Sequence, residues 1–338
     1  MPLSYILGQE QPKHILKKAL EFGSLPHAYL FYGPESVGKK LTAIELAKIL
    51  NCTEKGPLDR CNTCPSCRKI EARTHPDFFL IEPEKTASGR DGQIKIEQIR
   101  DLQKKLVYLP YEGRVKVAVV DSAESLNLQA ANSFLKTLEE PPSDTLIILV
   151  ANNLYQLLPT IISRCQGIKF LSLRPEAVQK ILTRKVESGD LALPLEELEL
   201  RAARSRGRVH RAVEQDLERV QEYRNELLDL VEGSSFENMG QLFEWTRNRA
   251  RQTEDLQDLL NELLTLIRDL AVLKRSAHPQ WIFNRDLLDR LTPLAEQKSL
   301  SALLKMFDAA HRTKGALNAN LNAQLTLDNM LISFCEAA

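Results

Sequence analysis

No run in this 338-residue chain approaches the roughly 18 apolar residues that a membrane-spanning helix needs. An excess of one charge is also missing, because 45 Lys and Arg face 45 Asp and Glu. That balance removes the electrostatic argument for a strong stand-alone nucleic-acid binder, although a local basic patch stays open. The first residues, MPLSYILGQEQ, lack the basic region and long apolar run of a signal peptide, so the expectation is a cytoplasmic protein. Cysteine is sparse, six in all. In such a compartment these read as thiols or metal ligands rather than disulfides. Internal repeats and low-complexity tracts are absent. What remains, 43% hydrophobic and 27% charged residues, is the profile of a soluble globular chain long enough for two or three domains.

The first ~170 residues alternate strand and helix patterns. Short apolar runs at AYLFYG (28–33), DFFLIEP (77–83), VKVAVVD (115–121), TLIILVAN (145–152) and GIKF (167–170) read as buried strands. Helical spacing follows at LTAIELAKIL (41–50), Ile96–Leu106 and Leu128–Leu138. This alternation predicts an α/β domain with a parallel sheet covered on both faces. TASGRDGQ (86–93) reads as a polar loop. From about Pro175 the strand signals stop, and segments 176–188, 195–205, 208–233 and 255–274 read as helices. The last is strongly amphipathic. Leu256, Leu259, Leu260, Leu263, Leu264, Ile267, Leu270 and Ala271 share an apolar face, Glu262, Arg268 and Asp269 lie off it, and Thr253 is the expected N-cap.

GPESVGKK (33–40) nearly fits the phosphate-binding pattern G-x-x-x-x-G-K-[ST]. Gly33, Gly38 and Lys39 match, with a strand before and a helix after. Glycines let backbone N–H groups turn toward phosphates, the helix N-terminus adds partial positive charge, and Lys39 reaches the outer phosphates. Lys40 stands where the magnesium-holding hydroxyl belongs. Thr42 is two residues along the helix and points to nearly the opposite side. The apolar run VKVAVVD ends in Asp121, the position of a magnesium-supporting carboxylate. The next position, where a water-activating carboxylate belongs, is Ser122, and Glu124 is expected to turn away. Two lesions on one reaction predict lost hydrolysis, with weak magnesium-independent nucleotide binding left open.

Cys52, Cys61, Cys64 and Cys67 follow a C-x8-C-x2-C-x2-C spacing. Four thiolates in one short Pro/Gly-containing segment suit a closed, tetrahedral structural zinc site. Four unrelated buried cysteines and an iron–sulfur cluster are the alternatives. Cys165 and Cys335 are isolated and read as small buried residues.

Taken in order, Gly8-Gln9, HAYLFYGPESVGK, the four cysteines, HPDFF, KIEQIRDL, AANSFLKTLEEPP and ISRC carry a family pattern. The chain resembles the clamp-loader branch of the bacterial AAA+ superfamily, nearest its delta-prime family. Leu135–Pro142 (LKTLEEPP) and Ser163-Arg164-Cys165 are the most specific stretches. The related gamma/tau family shares them but has an intact phosphate loop and an Asp-Glu pair where this chain has Asp121-Ser122. The resemblance implies a RecA-like AAA+ domain at 1–170 with the zinc module (52–67) inserted, a helical lid at 171–213 and a helical collar at 214–338. The collar would join subunits into a ring, with segment 316–334 as its closing helix. It implies that Arg164 is an arginine finger, reaching a neighbouring subunit's ATP. It also places Asn152 at sensor 1 and Arg211 at sensor 2, with Arg206 and Arg208 competing for the latter. The implied partners are gamma/tau and delta subunits, and through the complex the sliding clamp and primer-template DNA.

Three functions compete. One is a non-hydrolysing clamp-loader subunit that acts in trans. The second is a catalytically active ATPase resembling gamma/tau, against which Lys40 and Ser122 argue. The third, a zinc-dependent nucleic-acid binder, suffers from neutral charge and few aromatics in the cysteine segment. A carboxylate set for nucleotidyl transfer is not evident, so polymerase activity is not expected of this chain.

Overall fold

A computed structural model describes residues 3, 5–54, 59–84, 92–214, 217–251, 256–275, 281–318 and 321–337. The chain divides into two compact units, Met1–Val213 and Glu214–Ala338.

Five strands build the first unit: β1 (Ala28–Tyr32), β2 (Phe78–Ile81), β3 (Lys116–Val120), β4 (Thr145–Ala151) and β5 (Gln166–Lys169). All neighbours pair in parallel, in the order β2-β3-β4-β1-β5. Alternate residues feed opposite faces, as the period of a strand requires. Tyr29, Phe31, Val117, Val119, Leu146 and Ile148 join one core; Leu30, Ala118, Val120, Ile147 and Leu149 join another. Helices cover both faces: α1 (Glu10–Glu21), α2 (Lys39–Asn51), α3 (Pro65–Glu71), α4 (Ile96–Leu106), α5 (Leu128–Glu139) and α6 (Pro159–Ile162). Leu16 and Leu46 pack on the first core, while Ile99, Leu102, Phe134 and Leu138 pack on the second. Asn127 caps α5 by accepting from Ala130 N at 2.8 Å, which fixes where that helix starts. Beyond the sheet lie α7 (Pro175–Glu187), α8 (Leu198–Arg204) and α9 (Val209–Glu214). Segment 195–205 is helical only from Leu198, after a 3-10 turn at Leu195–Glu197.

The second unit contains α10 (Leu217–Glu232), α11 (Met239–Ala250), α12 (Leu256–Arg275), α13 (Leu288–Gln297), α14 (Leu300–Asn318) and α15 (Ala323–Ala337). The single helix expected at 208–233 is thus α9 and α10, with 215–216 outside the described residues. The N-cap expected at Thr253 and residues 86–91 of the polar loop also lie outside them. Of the α12 stripe, Leu256, Leu259, Leu260, Leu263, Ile267 and Leu270 are buried, whereas Leu264 and Ala271 are only partly so. Asp269, expected on the polar side, is fully buried. Its carboxylate accepts from Phe283 N at 3.1 Å, Asn284 N at 2.9 Å and Asn284 Nδ2 at 2.8 Å. It therefore satisfies backbone donors that the approach to α13 would otherwise leave buried and unpaired.

Candidate nucleotide-binding site and metal centre

The phosphate loop leaves β1 at Gly33 and enters α2 at Lys39. Gly33 holds φ at +142°, and a Cβ there would lie 2.1 Å from the Phe170 carbonyl oxygen, so only glycine fits. Gly38, at φ +99°, turns the chain into the helix. Gln9 braces the loop from outside. Its Nε2 donates to Val37 O at 3.2 Å and Leu171 O at 2.6 Å, and its Oε1 accepts from Leu171 N at 3.1 Å. This gives Gln9 a physical role: it ties the loop to the chain leaving β5.

Lys39 is buried, and its ammonium donates to Gly33 O at 2.8 Å, to Pro34 O and to Asn152 Oδ1 at 2.9 Å. Three acceptors match its three N–H bonds. Burial pulls its pKa down to about 8, against the opposing charges of Glu124, Asp121 and Glu35. Asn152 follows β4, and its backbone N donates to Glu124 Oε1 at 3.0 Å. Glu124 therefore does not turn away. Ser122 sits in the left-handed region at φ +53° and folds the chain back after β3, which brings Glu124 toward the end of β4.

Lys40 occupies the site in a way its sequence position alone does not show. Its ammonium pairs with Asp121 Oδ2 at 3.0 Å and with Glu82. Glu82 follows β2 and Asp121 follows β3. The register that sets Ile81 beside Val120 brings the two carboxylates side by side, with Asp121 N donating to Ile81 O at 2.9 Å. Burial alone lowers the Lys40 pKa, but Glu82 and Asp121 outweigh it and raise it. Glu82 also pairs with Arg73 Nη1 at 2.9 Å. Thr42 donates to Gly38 O at 2.8 Å within its own helix, so its hydroxyl is committed. Magnesium wants a near-octahedral shell of oxygens. Here the hydroxyl is missing and an ammonium holds the carboxylate, so the residues do not fit that ion.

Near the loop, Val209 N donates to Ser36 O at 3.1 Å at the start of α9. Arg208 adds positive charge at Lys39, and Arg211 stands close enough to Arg208 for their charges to oppose each other. Arg164 follows α6 and leads into β5, an edge strand. Its guanidinium bonds to Glu139, the Thr160 carbonyl and the Ser163 hydroxyl. None of these belongs to the phosphate loop. Cys165, beside it, has its thiol pushed up to about 12 by burial.

The four thiols of Cys52, Cys61, Cys64 and Cys67 all lie within 4.8 Å of one another. The Cys52–Cys61 sulfur separation is 3.7 Å. A tetrahedral zinc with Zn–S bonds of ~2.3 Å sets its sulfurs about 3.8 Å apart, so the donor set fits that ion. Backbone N–H groups point at the sulfurs: Cys64 N to Cys61 Sγ at 3.2 Å, and Cys67 N to Cys64 Sγ at 3.4 Å. Hydrogen bonds from Thr63 and Cys64 hold the Cys61 thiol below its ordinary value. The module is anchored by ion pairs of Glu45 with Arg60, and of Lys48 with Glu45 at 3.2 Å and with Glu71. His75, buried, accepts from Asp77 N at Nδ1 (3.1 Å) and meets Ser66 Oγ at Nε2 (3.1 Å). Asp77, also buried, accepts from the backbone of Tyr111, Glu112 and Gly113 at 2.7–2.8 Å. His-Pro-Asp is thus a structural clasp between α3, β2 and the turn before β3. In the sequence the tripeptide marks only a family resemblance; its bonds to Ser66 and to the 111–113 backbone appear only in the fold.

A five-stranded parallel sheet with a phosphate loop after β1, an acid after β3 and a polar residue after β4 is an AAA+ type domain, here followed by a mostly helical remainder. Residues 8–174 match the family described as DNA polymerase III, delta subunit, and residues 218–336 match DNA polymerase III, delta subunit, C terminal. DNA polymerase III subunit delta' of Bacillus subtilis (strain 168) is 30% identical over 98% of this chain and 98% of its own length. The chain belongs to this delta' family. It is also similar to Bacillus subtilis DNA polymerase III subunit tau, 26% identical over 98% of this chain, and spans 61% of that protein. Among solved structures, the Thermotoga maritima RuvB Holliday junction branch migration motor aligns at a TM-score of 0.43 and 18% identity, over 68% of this chain and 66% of that one.

Proposed function

We propose that the chain is a clamp-loader subunit of DNA polymerase III that does not itself hydrolyse ATP and lends Arg164 to a neighbouring ATPase subunit. Its membership of the delta' family supports the clamp-loader role, and the gamma/tau relatives point to gamma/tau and delta subunits as partners in a ring. The sliding clamp and primer-template DNA are then met through the complex. Residues 1–170 form the RecA-like domain, 171–213 the lid and 214–338 the collar, and a cytoplasmic location goes with that role. No helix of the described residues is long and apolar enough to cross a membrane.

The observation that carries the trans role is the placement of Arg164. It lies ahead of an edge strand, one-third exposed, and is bonded to Glu139, Thr160 and Ser163 rather than to the phosphate loop. A guanidinium so placed can neutralise charge developing on a phosphate that belongs to another chain. The lost hydrolysis rests on Lys40 and Ser122, which stand where a hydroxyl and a carboxylate are required. Cys52, Cys61, Cys64 and Cys67 hold a structural zinc, which closes an irregular segment with little core of its own.

Two measurements test the proposal. Turnover of ATP by the purified chain, with magnesium and DNA present, is expected to stay at background. Sustained hydrolysis that disappears in Lys39→Ala would mean that the chain is itself a motor. Reconstituted rings carrying Arg164→Ala are expected to assemble but load clamps poorly; full loading would refute the finger.

A further inference from the structure

Asp121 and Glu82 form a paired acidic site at the C-terminal ends of two adjacent strands. Left alone, two carboxylates held side by side by sheet register repel, and a cation is needed between them. The chain supplies one. The Lys40 ammonium, carried on the first turn of α2, lies 3.0 Å from Asp121 Oδ2 and is hydrogen-bonded to Glu82. Asp121 Oδ1 is occupied as well, accepting from Ser122 N at 3.1 Å. Arg73 takes the second oxygen of Glu82. The cluster of two acids and two bases is neutral, and its carboxylate oxygens are engaged.

We propose that the Lys40 ammonium is this site's own tethered cation, standing in the place where an intact phosphate loop holds magnesium, and that it excludes a divalent ion from the site. A lysine is a compact point charge with three donors, able to bridge two carboxylates from one stem. It also removes the hydroxyl that would have been a metal ligand. One residue thus deletes a ligand and neutralises the remaining one. The site needs no ion to be electrostatically complete, and a divalent cation entering it meets a fixed positive charge. In the sequence, position 40 reads only as a missing Ser or Thr. The register of β2 against β3 shows it to be a replacement, because Glu82 is distant from Asp121 in sequence.

The inference deepens the reading that the loop does not turn over ATP, and rests on it. Metal uptake is therefore measured apart from turnover. The experiment uses the full-length, zinc-loaded chain and follows bound manganese by electron paramagnetic resonance, with and without ADP. The unaltered chain is expected to immobilise no manganese beyond that held by free ADP. Lys40→Thr restores a hydroxyl beside Asp121 and frees the carboxylate. It is expected to gain an ADP-dependent manganese site at least about tenfold tighter than anything in the parent. Adding Asp121→Asn to that variant is expected to abolish the site. Lys40→Arg, which keeps the charge, is expected to take up no manganese.

Manganese bound by the unaltered chain with ADP overturns the inference, and that arm does not depend on any variant folding. A folded Lys40→Thr, verified by circular dichroism, that still takes no manganese overturns it too. Neither result touches the proposed non-hydrolysing role, which falls only if the unaltered chain hydrolyses ATP.

Discussion

The Arg164 guanidinium is held by the Glu139 carboxylate, with Nε 2.8 Å from Oε1 and Nη2 on the same oxygen. Nη1 donates to Thr160 O at 2.9 Å and to Ser163 Oγ at 3.3 Å. Four of its five N–H bonds thus have partners, and the head group is fixed in direction. The first Glu of the LEEPP stretch and the Arg of SRC, far apart in sequence, are thus bonded to each other.

In the proposed trans role, Glu139 would position Arg164. Glu139→Gln in a reconstituted ring is expected to lower the neighbour's ATP turnover by about tenfold through misalignment. The same change is expected to move this chain's own stability by less than about 0.5 kcal/mol, because the pair is half-exposed. Measuring turnover and thermal unfolding on the same variant checks both. Unchanged turnover would show that Glu139 does not position Arg164 for a neighbour.

The zinc site should be lost as a unit. Cys64→Ala is expected to drop the metal from one zinc per chain to near none by elemental analysis. Loss of the zinc is expected to cost the chain more than about 3 kcal/mol. Lowering the pH should release the metal as well, since protons compete for the thiolates.

His75 makes a pH prediction with a definite sign. Burial lowers its pKa below 6.5, against the raising charges of Asp77 and Glu112. The unfolded chain therefore takes up a proton near 6.5 that the folded chain refuses. Stability is complete above that value and declines as the pH falls through and below it. Nδ1 already accepts Asp77 N, so protonation there breaks a buried bond. Denaturant midpoints from pH 8 to 5 should show the decline, and His75→Gln should flatten it. An equally steep decline in the variant would assign the effect elsewhere.

Gly33→Ala tests the loop's geometry. Its Cβ would lie 2.1 Å from the Phe170 carbonyl, on a backbone at φ +142°. A loss of more than about 3 kcal/mol is expected, read as a shift in the unfolding midpoint. Gly38→Ala meets open space and carries only the cost of its φ of +99°. It should be the milder of the two.

Local chemistry made much of this protein readable from its sequence. The five strands are short apolar runs ended by turn residues, and all five fall where the pattern sets them, within a residue or two at their ends. The loop GPESVGKK announces itself because its glycines sit at fixed offsets, and the four cysteines because their spacing confines them to one small region. Such signals are carried by neighbours in sequence, so one strand of text contains them. Other features needed the tertiary structure. Glu82 became the partner of Lys40 only through the β2–β3 register. Glu124 returned to the site because Ser122 took a left-handed turn, where a simple strand continuation would have sent it away. Asp269 read as the polar side of an amphipathic helix, yet the chain approaching α13 buries it and uses it as a cap. In each case the deciding partner lies far along the chain or depends on a backbone angle, and a polar side chain's pattern does not reveal whether water or a buried N–H will meet it.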